Sequence, residues 1–361
     1  MSDPTTPRAD TVLFSIPWLH HRHVTNEAGG EALKATTASQ HTHRSGEPAV
    51  TRPVHQLSLW LILLTMAGFV PAAETAGAEA GPPVLHVAFV VSAFRGTTNK
   101  ADAVAAVSVW AEQVAQSRNI SVKTVVTAHA DADALGRAVL AGKADLIVVS
   151  ALEFLYIRTA VPIDPLYMGT RQGSPFTRFL LLVRRDATIA DLHDLAGQEV
   201  LLQSRGPMTG PREWLDTIIH KNGLPQDSVR VKVVVKATDT ILPVFFGKHV
   251  ACVATEESYR TMVELNPQVG RTLRVLRKSP PLALLIACIR RDYREFRREA
   301  IEEMGALKET PRGQQVLALF RYSQVIPFDE AKLASASALL KAYLAVGRAT
   351  QAAEPTEQKH E

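Results

Sequence analysis

The chain has 361 residues, enough for two domains of ordinary size. Apolar residues make up 46% and charged residues 21%, the balance of a soluble globular protein. The formal charge is +4, but Lys and Arg are spread along the chain, and neither an RNP-like motif nor a Cys/His finger spacing occurs. The basicity therefore reads as a solvated surface rather than a nucleic-acid footprint.

Residues 1–55 are polar and hold six of the twelve histidines. They read as an unstructured leader, and His20-His21-x-His23 and His41-x-His43 as part of it rather than as a metal site. Residues 56–80 have the character of a secretory signal. Arg52 precedes the apolar run Leu57 to Val70, and Ala76-Gly77-Ala78 offers a cleavage site. The run is short of the about 20 residues of a membrane span; the alternative is an uncleaved N-terminal anchor. No cysteine stands near it for a lipid anchor.

From Val84 the apolar periodicity alternates between strand and helix. Strands are predicted at 84–91, 122–126 and 144–149, with helices at 101–117 and from an Asp131 or Asp133 cap to Leu140, before Gly142. Phe179 to Val183 is a further strand. The pattern restarts with strands at 200–203, 229–235 and 250–254 and helices at 212–222, 238–246 and 256–265. Apolar strands follow at 273–276 and 282–289, then helices at 293–307, 311–320 and 330–346. Strand–helix–strand order implies parallel sheets with right-handed crossovers. Cys252 and Cys288 sit inside apolar runs and read as buried core residues rather than a disulfide.

The second α/β unit has the character of an insert. The expected organisation is a first lobe over 81–184, a second over 185–272, and a return to the first over 273–348, with a polar tail at 349–361. Two connections would then cross between lobes and form a hinge, with the ligand site in the cleft.

The loop Ser204-Arg205-Gly206-Pro207-Met208-Thr209-Gly210-Pro211 opens a helix. A loop of this kind presents free amides and the positive end of the helix dipole to an oxyanion. Ser204, Thr209 and the Gly210 amide are therefore ligand candidates, and Arg205 a possible bidentate partner for an anion. Phe94, Thr97, Thr98 and Asn99 follow the first strand, Ser150 and Ala151 the third, and Thr255 and Glu256 a strand of the second unit. All lie at strand ends where open α/β sheets bind ligands, and each is equally suited to capping the next helix. Tyr167 and Arg171 are assigned to a linking loop. Among catalytic motifs there is no Gly-x-Ser-x-Gly elbow, Walker loop, Gly-x-Gly-x-x-Gly or His-Glu-x-x-His, so no enzyme is expected.

Four pieces in order resemble one family. These are Leu135 to Leu146 with Gly142-Lys143-Ala144-Asp145, Leu181 to Leu192 followed by Asp194-Leu195-Ala196-Gly197, Val244 to Val253, and Glu264-Leu265-Asn266-Pro267-Gln268 with Ser279-Pro280. Together, over about Leu85 to Leu344, they are similar to the phosphonate-type substrate-binding proteins of ABC importers. The resemblance implies an α/β, two-lobed type 2 periplasmic-binding-protein fold, with two mixed or parallel sheets flanked by helices and a double-crossover hinge. It also implies a periplasmic location, no cofactor, a small anionic solute, and an ABC permease and ATPase as partners, with the membrane met only through the transporter. A sensing module for a membrane receptor or kinase is the alternative. The family's oxyanion loop often runs Ser-x-Ser-Gly. Here Ser204 and Thr209-Gly210 match its ends, while Pro207 and Pro211 lack a donor N–H, which leaves open another anion or a small organic acid.

Overall fold

A computed structural model describes residues 81–93, 99–225 and 227–353. The expected leader (1–55) and signal (56–80) lie outside the described residues, as do Phe94, Thr97, Thr98 and the last eight residues of the tail.

The chain begins with β1 (Val84–Val90), α1 (Lys100–Ser117), β2 (Lys123–His129), α2 (Ala132–Leu140), β3 (Leu146–Ser150), α3 (Ala151–Ile157) and β4 (Ile163–Thr170). The short β5 (Phe176–Thr177) leads to β6 (Phe179–Arg184), β7 (Glu199–Gln203), α4 (Pro211–Lys221), β8 (Arg230–Val234) and α5 (Ala237–Phe245). Then come β9 (Ala251–Thr255), α6 (Glu256–Leu265), α7 (Pro267–Thr272) and β10 (Leu273–Lys278). The chain returns through β11 (Leu282–Ala283) to β12 (Leu285–Arg290), α8 (Arg297–Gly305), α9 (Pro311–Phe320), β13 (Gln324–Pro327) and α10 (Ala334–Ala353).

Two sheets result. The first has the order β13-β4-β12-β3-β1-β2 and the second β10-β6-β9-β7-β8. β1 pairs in parallel with β2 and β3, and β7 with β8 and β9. The strands after each crossing run the other way: β12 is antiparallel to β3 and β4, and β6 to β9. Central strands are buried along almost their whole length, β9 entirely so, as expected of strands with helices on both faces.

β5 and β11 form a separate antiparallel ribbon. They are the two segments that cross between lobes, and Phe179 and Ser279 tie them further. The Phe179 N–H donates to Ser279 Oγ and the Ser279 N–H to the Phe179 carbonyl, each at 2.8 Å. The boundaries thus differ from those expected at 185 and 272. β6 and β10 are paired with each other in the second sheet, so the crossings fall at 171–178 and 279–284. Their apolar sequence suits either sheet, and only the pairing decides.

Three further elements were not expected. α3 has two turns and is set by a capping box between Ser150 and Glu153. β4 contains Pro165, which interrupts a strand pattern. It is accommodated where the register against β12 shifts between Ala287 and Cys288. Tyr167 and Arg171 therefore belong to this strand and its end, not to a loop. β13 then closes the sheet edge against β4.

The largest core cluster runs through both lobes. It joins Ile147, Val149 and Leu152 to Leu181, Leu202 and Trp214, and to Leu339, Leu340 and Tyr343 of α10. α10 packs against both α3 and α4, so the C-terminal helix straps the lobes on one side. Each fully buried leucine here contributes about 1.5–3 kcal/mol. Cys252 and Cys288 are free thiols in the interior, and burial raises both well above the usual thiol range.

Candidate ligand-binding cleft

The carboxyl ends of the parallel strands of both sheets open onto one cleft, of about 750 Å³ including its solvent-open part. The first lobe contributes Ser92, Ser150, Ala151, Leu152 and Tyr322. The second contributes Phe179, Gln203, Ser204, Arg205, Thr209 and Thr255, and the crossing ribbon supplies Thr177 and Leu282 to Leu284. This is the position at which open α/β sheets hold ligands.

On the first lobe, Ser150 caps α3 and its hydroxyl donates to the Met208 carbonyl of the other lobe at 3.0 Å. One hydrogen bond therefore already spans the cleft. The Ser150 N–H donates to Glu153 Oε2 at 2.8 Å, and Ser92 Oγ donates to the same carboxylate at 2.7 and 2.9 Å. The Ala151 N–H is engaged by the Leu284 carbonyl at 3.1 Å.

On the second lobe the loop after β7 turns through Met208, a non-glycine residue at φ 55, and Gly210 at φ 111. Glu213 holds this shape: Oε1 accepts from the Met208 N–H at 2.7 Å and Oε2 from the Gly210 N–H at 2.8 Å. Gly210 is required twice over. Besides its φ, a Cβ there would lie 2.6 Å from the Phe179 ring. Ser204 Oγ and Thr209 Oγ1 are 2.9 Å apart and both reach the Gly206 carbonyl, at 2.9 and 3.0 Å. Two hydroxyl protons serve that shared carbonyl, so either can turn to a solute oxygen while the other stays.

The two helix ends carry buried carboxylates. Burial pushes Glu153 up to about 7, helped by the nearby Glu213 and opposed by the bonds from Ser92 and Ser150. Glu213 is also raised, chiefly by burial. Arg205 is half-buried, and its guanidinium is held below its ordinary range by burial and by the charge of Arg321. Arg321 is the left-handed C-cap of α9 (φ 58), next to Tyr322. Arg171 holds the same turn. Its guanidinium lies 4.7 Å from the Tyr322 ring centroid, its Nε donates to the Arg321 carbonyl at 2.8 Å, and it pairs with Glu257 at 3.5 Å.

The expected residues thus divide. Ser150, Ala151, Ser204, Thr209, Thr255 and Arg205 line the cleft. Thr255 also caps α6, accepting from the Ser258 N–H at 3.1 Å. Two expectations are corrected. The Gly210 amide is taken by Glu213 and does not face a ligand. Glu256 turns to Lys278 at 2.5 Å and Arg178 at 4.0 Å, away from the cleft lining. Tyr167 donates its hydroxyl to the Ile301 carbonyl at 3.1 Å, behind the sheet. Asn99 caps α1. Gln203, Ser92, Tyr322 and the ribbon residues were missed. Gln203 is the last residue of β7 and directly precedes Ser204, a signal that positional reasoning could have used. Tyr322 carries none, because its place follows from the fold of the C-terminal segment.

Two α/β lobes joined by a double crossing, with the cleft between their strand ends, define a solute-binding protein of the two-lobed periplasmic class. The model of the family described as ABC transporter, phosphonate, periplasmic substrate-binding protein matches residues 96–333. The chain belongs to that family and has its type 2 binding-protein fold. Among solved structures it is similar to a Xanthomonas citri protein bound to chloride ion, with a TM-score of 0.59 at 15% identity, covering 74% of this chain and 99% of that one. It is also similar to the binding protein component of an ABC phosphonate transporter from Pseudomonas aeruginosa (0.55, 15%, covering 77% and 92%). A third is a Prochlorococcus marinus protein in complex with methylphosphonate (0.51, 14%, covering 75% and 99%). No curated protein matches the sequence.

Proposed function

We propose that this protein captures a small oxyanion between its lobes and delivers it to an ABC importer, with no catalytic step. The single observation that carries this reading is the cleft itself. Hydroxyls of Ser204 and Thr209 and the Arg205 guanidinium line one wall, facing Ser150 and Tyr322 across the strand ends. Solute bound there touches both lobes at once and so favours the closed state over the open one. The partners in this reading are a permease and its ATPase, the compartment is the periplasm, and phosphonates are the solute class to try first, given the family.

The test is a thermal-shift screen with methylphosphonate, phosphate, phosphite, methanesulfonate and small carboxylates. At a hundredfold excess over Kd a binder adds about 2.7 kcal/mol, a rise of about 5 °C for a chain of this size. If none of these anions raises the melting temperature, the reading fails.

A further inference from the structure

The hydroxyls around the cleft are largely committed within the fold. Ser92 Oγ donates to Glu153, Ser150 Oγ to the Met208 carbonyl, and Thr255 Oγ1 to Ser258 Oγ at 2.8 Å. Ser204 and Thr209 share the Gly206 carbonyl. Gln203 differs. It ends β7 and lines the cleft, and its Oε1 is buried with no hydrogen-bond partner among the described residues. A buried acceptor left unpaired is costly and rare in native folds, so its place at the cleft points to a donor on the solute.

The other lining residues decide what kind of donor it is. Among the described residues that line the cleft none is Asp or Glu, and Arg205, two positions beyond Gln203, is the charged one. An ammonium group at Gln203 would stand near a guanidinium with no carboxylate to neutralise it, which is unfavourable in a partly desolvated place. A neutral O–H satisfies Oε1 without adding positive charge. The anionic oxygens of the same solute are then left for Arg205 and for the hydroxyls of Ser204 and Thr209. A phosphonate or phosphate that has lost one proton still carries such an O–H, since the second proton of a phosphate ester leaves only at about pH 6. A simple sulfonate has none, and would set a bare oxygen against the amide oxygen.

We propose that Gln203 is a specificity-determining residue of the cleft: its Oε1 accepts the O–H of an anionic solute, so the protein selects oxyanions that carry a hydroxyl over those that do not. This rests on the solute-capture reading and deepens it by naming the class of oxyanion. No described protein group competes for that acceptor, so pairing it is a gain made on binding. A solute that leaves it unpaired forgoes the gain and meets repulsion instead.

The experiment is calorimetric titration, at about pH 6, of methylphosphonate, methanesulfonate and hydroxymethanesulfonate into the full chain and into Gln203→Met. Methionine keeps the length of the side chain and removes the amide. The melting temperature holds, since no bond within the protein is lost. The readout is a ratio between solutes on one protein, so a general loosening of the cleft cancels. The wild type binds methylphosphonate at least about tenfold more tightly than methanesulfonate, and Gln203→Met brings the two within about threefold without weakening methanesulfonate. Hydroxymethanesulfonate separates the two sources of the O–H. If it outbinds methanesulfonate in the wild type alone, a hydroxyl on the carbon serves; if it does not, the acidic O–H is the one read. Equal affinity for all three in the wild type overturns the role of Gln203. So does a preference that survives in Gln203→Met, or a variant that weakens methanesulfonate as much as methylphosphonate, which would make the amide a donor. Each of these leaves solute capture intact, as does a wild type that binds only carboxylates, which also overturns the role of Gln203. A wild type that binds no anion at all sinks the capture reading itself.

Discussion

The two rims of the cleft solve one problem by different means. Each must satisfy the amides at the start of a helix that points inward, and each uses a buried glutamate three residues into the helix. In the first lobe this is an ordinary capping box. Ser150 has extended backbone, its hydroxyl accepts from the Glu153 N–H, and the carboxylate returns to the Ser150 N–H. In the second lobe the cap is Gly210, which has no side chain to offer, so Glu213 alone carries the end and folds the loop over itself. The first rim is locally self-sufficient. The second depends on positive φ at Met208 and Gly210 and on tight packing beneath them, and it is the rim that brings Arg205, Ser204 and Thr209 to the cleft. A binding loop held by tertiary contacts can be reshaped by a solute; a capping box is not easily moved.

The strongest way to break this contrast is Gly210→Ala. The added Cβ meets the Phe179 ring and the backbone is strained as well, so denaturant unfolding should show a loss of at least about 3 kcal/mol. Gly142→Ala is the counterpart in the first lobe, where φ is 68 and nothing lies within 4 Å; its loss should be about 1 kcal/mol. Equal losses would mean that the second rim is not tightly held.

Next in size is the pH dependence. Between pH 4.5 and about 7 the folded protein holds a proton at Glu153 that the unfolded chain has released. The stability tied to this group is therefore full below pH 4.5 and lost as pH rises through about 7, in all about 3 kcal/mol. Glu153→Gln should remove that slope, so wild type and variant unfolding energies must converge or cross with pH. Parallel curves would show that the carboxyl is not held protonated by burial.

A smaller effect belongs to the bond that spans the rims. Ser150→Ala removes the contact to the Met208 carbonyl and should shift closure by about 1 kcal/mol, read as a larger radius of gyration in scattering. The smallest is a null result. Glu256→Gln lies outside the cleft lining, with partners Lys278 and Arg178, and solute affinity in titration calorimetry should change less than about twofold. A larger change would return Glu256 to the site.

Much of the fold was legible from the chain because its elements are locally consistent. Asp131 caps α2 and Gly142 ends it, and β6 and β9 are apolar almost throughout. What was misread had weak local signals. β4 hides behind Pro165, α3 is too short for periodicity, and β6 and β10 have sequences that either sheet would accept. In the site, strand-end position pointed to Ser150, Ala151, Ser204, Thr209 and Thr255, since a parallel strand ends where its loop must face the crevice. The same rule overreached at Glu256 and at the Gly210 amide, because position along a strand does not say which neighbour a polar group meets.

The sequence by itself determined the alternation of strands and helices, their caps, and the loops that stand at the sheet edges, since these depend on contacts a few residues apart. Only the tertiary structure decided which strands share a sheet, and that Ser150 meets the Met208 carbonyl and Ser92 the Glu153 carboxylate at the cleft. Those outcomes depend on groups far apart in the chain meeting in the folded core, and no local pattern ranks the competing pairings.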